Sequence, residues 1–152
     1  MEKIKLKIMP VSDEIGKSVP YPSYATDGSA AMDLYACTGS DIALLPLEKK
    51  LIPTGIAIEI PDSGYMALVC ARSGLGVKHG VTLSNGVGVI DSDYRGELMV
   101  GLINLSDTPY TIKKGDRIAQ LIVLPIAKCQ VEICERLSDT PRGTGGFGST
   151  GR

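Results

Sequence analysis

Five polar groups stand in apolar or glycine-rich surroundings, and their chemistry is complementary. Arg72-Ser73-Gly74 joins a guanidinium, a hydroxyl and backbone N–H groups left open by glycine. Such a set cradles an anion without any net charge on the protein. Asp91 follows Val89 and Ile90 and precedes a turn ending at Gly96. The spacing predicts a carboxylate fixed at the end of a buried strand while facing a cleft. An aspartate titrates near about 4, so at neutral pH it can take a proton from a positioned water. Tyr94, three residues on, offers a flat ring to a sugar or base and a hydroxyl for orientation. Asp33 is a charge inside the apolar run AAMDLYA, and Gln120 in GDRIAQLIVLP is expected to share a face with Ile118 and Ile122. Buried polar groups need partners. Taken singly, each has a plainer reading: a capped helix with a surface Arg72, a hairpin with acidic caps, internally bonded Asp33 and Gln120. Together they describe a site for a phosphorylated ligand.

Other patterns fail on context. Gly143, Gly145 and Gly148 spell GxGxxG, but no strand and helix frame them. Gly16-Lys17-Ser18 ends like a phosphate loop, yet Val11 stands where the first glycine belongs and Pro20 follows too soon. Asp91, Asp93 and Gly96 open like a calcium loop, but Leu102 occupies the bidentate position. His79 is the single histidine, so multi-histidine metal sites within one chain are excluded and carboxylates must do most acid–base work.

The elements that position these groups are strands. Ile4, Leu6 and Ile8 alternate with lysines, GIAIEI alternates at Ile56, Ile58 and Ile60, and ELMVGLIN alternates at Leu98, Val100 and Leu102. Turn clusters separate these runs at short intervals, a rhythm that describes an all-β sandwich or barrel. Prolines 46, 53, 61, 109 and 125 suit strand starts and edges. Only RSGLGVKH at 72–79 suits a short helix, with Ser73 as its natural N-cap. The 152 residues make one domain. With 16 Lys and Arg against 17 Asp and Glu, there is no global field for a nucleic acid or an anionic membrane. No apolar run reaches the roughly 18 residues of a membrane span. MEKIKLKIMP does not read as a signal peptide, and four cysteines without CxxC spacing fit a reducing, cytoplasmic setting. With no tryptophan and one phenylalanine, the core must be aliphatic. That phenylalanine, Phe147, lies in the glycine-rich stretch RGTGGFGSTGR at 142–152, where disorder would leave its ring in water.

Five segments in order, AAMDLYA at 30–36, RSGLG at 72–76, NGVGVIDSDYRGE at 85–97, GDRIAQL at 115–121 and RGTGGFGST at 142–150, give the chain a resemblance to the homotrimeric deoxyuridine triphosphatases, the dUTPase family. The resemblance spans residues 30–150 and departs little, with Gly76 where the family often has alanine. It implies a distorted jelly-roll β-barrel over 1–141 and a flexible arm over 142–152 that closes over a neighbour's site. It also implies a homotrimer with sites at subunit interfaces, and Mg²⁺-dependent hydrolysis of dUTP to dUMP and pyrophosphate. That activity would limit uracil incorporation into DNA and supply dUMP for thymidylate synthesis. Carried over, Asp91 activates the attacking water and Tyr94 lies under the deoxyribose, leaving no room for a 2′-hydroxyl. Backbone groups of the hairpin from Asn85 to Val89 read uracil, with Gly88, Ile90 and Met99 among the substrate-binding positions. Arg72, Ser73, Gly74 and Gln120 hold phosphates, and Asp33 supports the site. From the arm, Arg142 reaches the γ-phosphate, Phe147 stacks on uracil, and Gly148, Ser149 and Thr150 add contacts. Mg²⁺ is held by phosphate oxygens and waters, with no direct protein ligand. No membrane or nucleic-acid partner is implied. A dCTP deaminase shares the fold but is expected to replace the Asp91/Tyr94 pairing, and a non-catalytic trimeric β scaffold has no need of a base, a cradle and an arm together.

Overall fold

The computed structural model describes residues 4–146; Phe147, Gly148, Ser149 and Thr150 lie outside the described residues. The chain forms β1 (Lys7–Pro10), β2 (Met32–Tyr35), β3 (Ile42–Leu44), β4 (Lys49–Glu59), β5 (Tyr65–Cys70), α1 (Ser73–His79), β6 (Val81–Leu83), β7 (Gly88–Ile90), β8 (Glu97–Asn104), β9 (Tyr110–Ile112) and β10 (Arg117–Pro125). Two four-stranded sheets, ordered β1-β4-β8-β6 and β2-β10-β5-β7, and a β3-β9 pair build a distorted jelly roll. The expectation of an all-β fold with one short helix holds. No described helix is long and apolar enough to cross a membrane.

The core is aliphatic, with Leu34, Leu44, Ile52, Leu98, Leu102, Ile118 and Leu121 at its centre. β8 keeps the expected alternation: Leu98, Val100 and Leu102 point inward and Met99 outward. Asn104 also faces the core, and its whole amide is bonded: Nδ2 donates to the carbonyls of Leu44 (2.9 Å) and Thr108 (2.8 Å), while Oδ1 accepts from Ser106 N (2.9 Å) and Oγ (2.7 Å).

Where alternation fails, the chain bulges. In β4, Ile56, Ala57 and Ile58 are all buried, because the strand lies between β1 and β8 and Ile15 covers it at Gly55. Its pairing with β8 shifts between Pro53 and Ala57, which explains how a proline sits inside a central strand. In β10, Arg117 pairs with Tyr35 and Ala119 with Leu34, so Ile118 is an extra residue. Ile118 therefore does not continue the face of Gln120: it is buried beside Ala119, and Gln120 is only half-buried.

Ser73 is not the N-cap expected from its type. Arg72 occupies that place with extended backbone (φ −91°, ψ 128°), no side chain caps the helix, and Ser73 is its exposed first residue. The chain turns at Arg72 because that side chain is drawn back to the sheet, as described below. Leu75 packs into the core, and Gly80 closes α1 in the left-handed conformation (φ 68°), donating to the Gly76 carbonyl at 3.0 Å.

Two glycines make opposite predictions. A Cβ on Gly76 would meet only the Val81 carbonyl, at 3.8 Å, so Gly76→Ala is expected to add about 0.5–1 kcal/mol of stability. Gly55 has φ +72°, and a Cβ there would lie 2.7 Å from Cys37 Sγ and 2.9 Å from Ile15 Cδ1. Gly55→Ala is expected to cost more than about 1 kcal/mol. Urea denaturation midpoints at constant slope check both.

Candidate functional site

Strand pairing gathers the first half of the site. Gln120 of β10 lies opposite Asp33 of β2 on one side and Cys70 of β5 on the other, so their side chains share a face. Two residues beyond Cys70 the chain reaches Arg72. Its Nε donates to Asp33 Oδ1 at 2.9 Å, and its NH1 donates to the Arg117 carbonyl at 3.2 Å. Arg117, at the edge of the β10 bulge, donates through NH1 to Asp33 Oδ2 at 3.3 Å. Asp33 is 6% exposed, and each of its oxygens is engaged by a guanidinium. A carboxylate this deep is tolerable only when paired and hydrogen-bonded. Two guanidiniums on one carboxylate leave a positive remainder at the surface.

That remainder faces a hollow of about 340 Å³ lined by Arg72, Gly74, Leu75, Lys78, His79, Tyr110, Asp116 and Arg117, in which three cationic side chains stand against the one carboxylate of Asp116. Gly74 is open, with no atom within 4 Å of a Cβ built on it, so an anion can approach its backbone. The His79 ring packs on Tyr110 at 5.0 Å between centroids, which ties the end of α1 to β9. Burial pushes the Tyr110 phenol up, Asp116 adds to that rise and Arg72 opposes it, so the ring stays neutral at physiological pH.

The second half lies elsewhere on the same chain. Asp91 lines a hollow of about 440 Å³ with Tyr65, Met66, Ser92, Asp93 and Lys128. The strand before it is not buried as its apolar residues suggest: Val89 is exposed, Ile90 is half-buried and Asp91 is exposed, because β7 has only β5 beside it. The segment Asn85 to Val89 is not a paired hairpin either. β6 belongs to one sheet and β7 to the other, so the exposed turn at Asn85 crosses between sheets. Gly88 fits closely against Val69, whose Cβ would lie 3.1 Å from an added Cβ. Tyr94 is exposed, lies over Gly96 and donates its hydroxyl to the Glu97 carbonyl at 2.9 Å. Met99 is exposed on β8 opposite Pro53, and Arg142 is exposed in the last described turn.

One chain thus unites Asp33, Arg72, Gly74 and Gln120 and keeps Asp91 and Tyr94 together near the other hollow, but does not bring the two groups into one cavity. Arg117 escaped sequence reading although GDRIAQL contains it, because a bulge, and not simple alternation, directs its side chain to Asp33. Among the described residues, no three His, Cys, Asp or Glu side chains gather as metal ligands.

The family model described as dUTPase matches residues 17–151. The deoxyuridine 5′-triphosphate nucleotidohydrolase of Idiomarina loihiensis is 51% identical over 100% of this chain and 99% of its own. That of Wolbachia sp. subsp. Brugia malayi is 53% identical over 99% of this chain and 96% of its own. Among solved structures, the dUTPase of Staphylococcus bacteriophage 80alpha with dUPNHPP aligns at a TM-score of 0.86 and 28% identity, covering 99% of this chain and 100% of that one.

Exposure ranks the two bonds to Asp33. The Arg72 side chain is 21% exposed and that of Arg117 52%, so coupling to Arg72 is expected to dominate and coupling to Arg117 to stay below about 1 kcal/mol. Asp33→Ala is expected to cost about 2–4 kcal/mol, since it strands both guanidiniums. Double-mutant cycles by urea denaturation check the order, and a stronger Asp33–Arg117 coupling would reverse it.

Proposed function

The chain belongs to the dUTPase family, and we propose that its two hollows are halves of one active site completed between copies in a homotrimer. It is a dUTP diphosphatase, hydrolysing dUTP to dUMP and pyrophosphate. The observation that carries the shared site is the separation, within one chain, of the Arg72 cluster from Asp91. The stretch after β10 supports the assembly: Val131, Ile133 and Leu137 are 85%, 96% and 80% exposed, an apolar row that a second copy of the chain would cover.

In this reading the Arg72 guanidinium, already oriented by Asp33, binds the phosphates with Ser73, the open backbone at Gly74 and Gln120. Asp91 aligns a water with the α-phosphorus and accepts its proton. The water oxygen bonds to phosphorus as the bond to the bridging oxygen of the β-phosphate breaks, and pyrophosphate leaves. Tyr94 lies beneath the deoxyribose. Backbone from Asn85 through Gly88 and Val89 to Ile90 reads the base, with Met99 beside it. Residues 1–141 are the barrel, and 142–152 form the arm that closes the site with Arg142, Phe147, Gly148, Ser149 and Thr150 and excludes water. With Asp33 fully engaged by arginines, the donor set fits a hard cation held by phosphate oxygens and waters. Mg²⁺ bound there supplies charge neutralisation on the phosphates. Four cysteines without CxxC spacing support a reducing, cytoplasmic setting for the enzyme.

Three measurements test this reading. Asp91→Asn is expected to bind a non-hydrolysable dUTP analogue as the parent does while kcat falls about 10²–10⁴-fold; unchanged turnover removes Asp91 as the base. Removing 142–152 is expected to leave the trimer mass intact by light scattering and to lower turnover steeply, whereas dissociation would make the segment chiefly structural. A panel of dUTP, dTTP, UTP and dCTP, with pyrophosphate and ammonia measured with and without Mg²⁺, is expected to show pyrophosphate from dUTP. Ammonia from dCTP would overturn the assignment.

A further inference from the structure

We propose that Glu97 is a positioning residue for Tyr94, and through it sets how strongly the site rejects ribonucleotides. The inference rests on the reading above, in which Tyr94 lies under the sugar. Glu97 bonds in two directions. Its Oε1 accepts the Gly55 N–H at 2.7 Å, and its main-chain carbonyl accepts the Tyr94 hydroxyl at 2.9 Å. The first bond anchors the start of β8 where the regular ladder with β4 is interrupted, between Pro53 and Ala57. Beside it, Thr54 Oγ1 donates to the Leu98 carbonyl at 2.6 Å within the core.

The anchor is closely packed: Cys37 Sγ and Ile15 Cδ1 occupy the space a side chain on Gly55 would need. A carboxylate receiving a backbone N–H is a charge-assisted bond, stronger than its neutral counterpart. It therefore fixes the first residue of β8, and with it the direction of the carbonyl that holds the phenol. Gly96 completes the device. A Cβ there would collide with the Tyr94 hydroxyl and lie 2.7 Å from its Cζ, so the ring lies across this residue only while it is glycine. The ring is thus located from below by Gly96 and at its tip by Glu97, without any contact from Glu97 to substrate. Rejecting a 2′-hydroxyl by lack of space depends on the ring holding its place to a fraction of an ångström.

The test is the ratio of kcat/KM for dUTP to that for UTP in the full-length enzyme. Glu97→Ala is expected to lower the ratio about tenfold, the scale of one lost positioning hydrogen bond. Glu97→Gln, which keeps a side-chain oxygen for Gly55 but loses the charge, is expected to fall between the parent and Glu97→Ala. Gly96→Ala, which displaces the ring without touching the bulge, is expected to lower the ratio even if Glu97→Ala fails to fold. Tyr94→Phe added to Glu97→Ala should bring no further fall, because both act through one bond. Equal loss of kcat/KM for both nucleotides in Glu97→Ala, with the ratio intact, would overturn the proposal and leave Glu97 purely structural. So would a Glu97→Gln ratio as low as that of Glu97→Ala. A parent enzyme indifferent between dUTP and UTP would instead remove the underlying role of Tyr94, and this inference with it.

Discussion

Asp33 places a carboxylate where water hardly reaches, and the surrounding architecture is arranged to make that tolerable. Its two oxygens call for donors from two directions, and they come from two strand ends: Arg72 after β5 and Arg117 at the start of β10. Because β2, β10 and β5 are neighbours in one sheet, this single charge ties together side chains from all three at the point where the chain leaves the sheet for α1. A buried ion pair is a weak source of net stability. Its value here is orientation. A free arginine on a surface samples many rotamers, whereas Arg72 is held by Asp33 and by the Arg117 carbonyl before any ligand arrives. The demand also explains the helix start: a residue reaching back to the sheet occupies the N-cap, and Ser73 is left to project outward.

The second organising device is local irregularity. The bulge in β10 turns Arg117 toward Asp33, and the interruption in β4 replaces ladder bonds by Thr54 and Glu97 contacts that locate Tyr94. Both irregularities occur in strands that are otherwise long and apolar, so the regular part supplies stiffness and the irregular part supplies aim. Gly55 and Gly96 contribute by what they lack, since the contacts around each leave no room for a methyl group.

This division explains what could be read from the sequence. The strands with simple alternation, above all β8 from Leu98 to Leu102, were legible, as was the short helix at 72–79, since both follow from period and propensity. Asp33 was legible too, as a charge inside an apolar strand that the fold buries, while the roles read for Arg72, Asp91 and Tyr94 stand as proposals. Less legible was anything decided by three-dimensional context. A bulge redirected Arg117 and displaced Ile118 from the face of Gln120. An exposed edge left Val89 outside, although its apolar type suggested burial. A turn between two sheets took the place of a hairpin at Asn85, because local residue types specify a turn but not which sheets it joins. The separation of the Arg72 cluster and Asp91 into two hollows has no local signature at all.

The aliphatic core has an optical consequence. The chain contains no tryptophan, and each of its six tyrosines is exposed or only half-buried, with Tyr35, Tyr65 and Tyr110 packed against the core from its rim. Ultraviolet emission from the folded chain is therefore tyrosine emission, and core unfolding reaches it through these three rim residues. Two of the six line the hollows, Tyr110 at one and Tyr65 at the other. Ligand arrival can be followed on them without any introduced label.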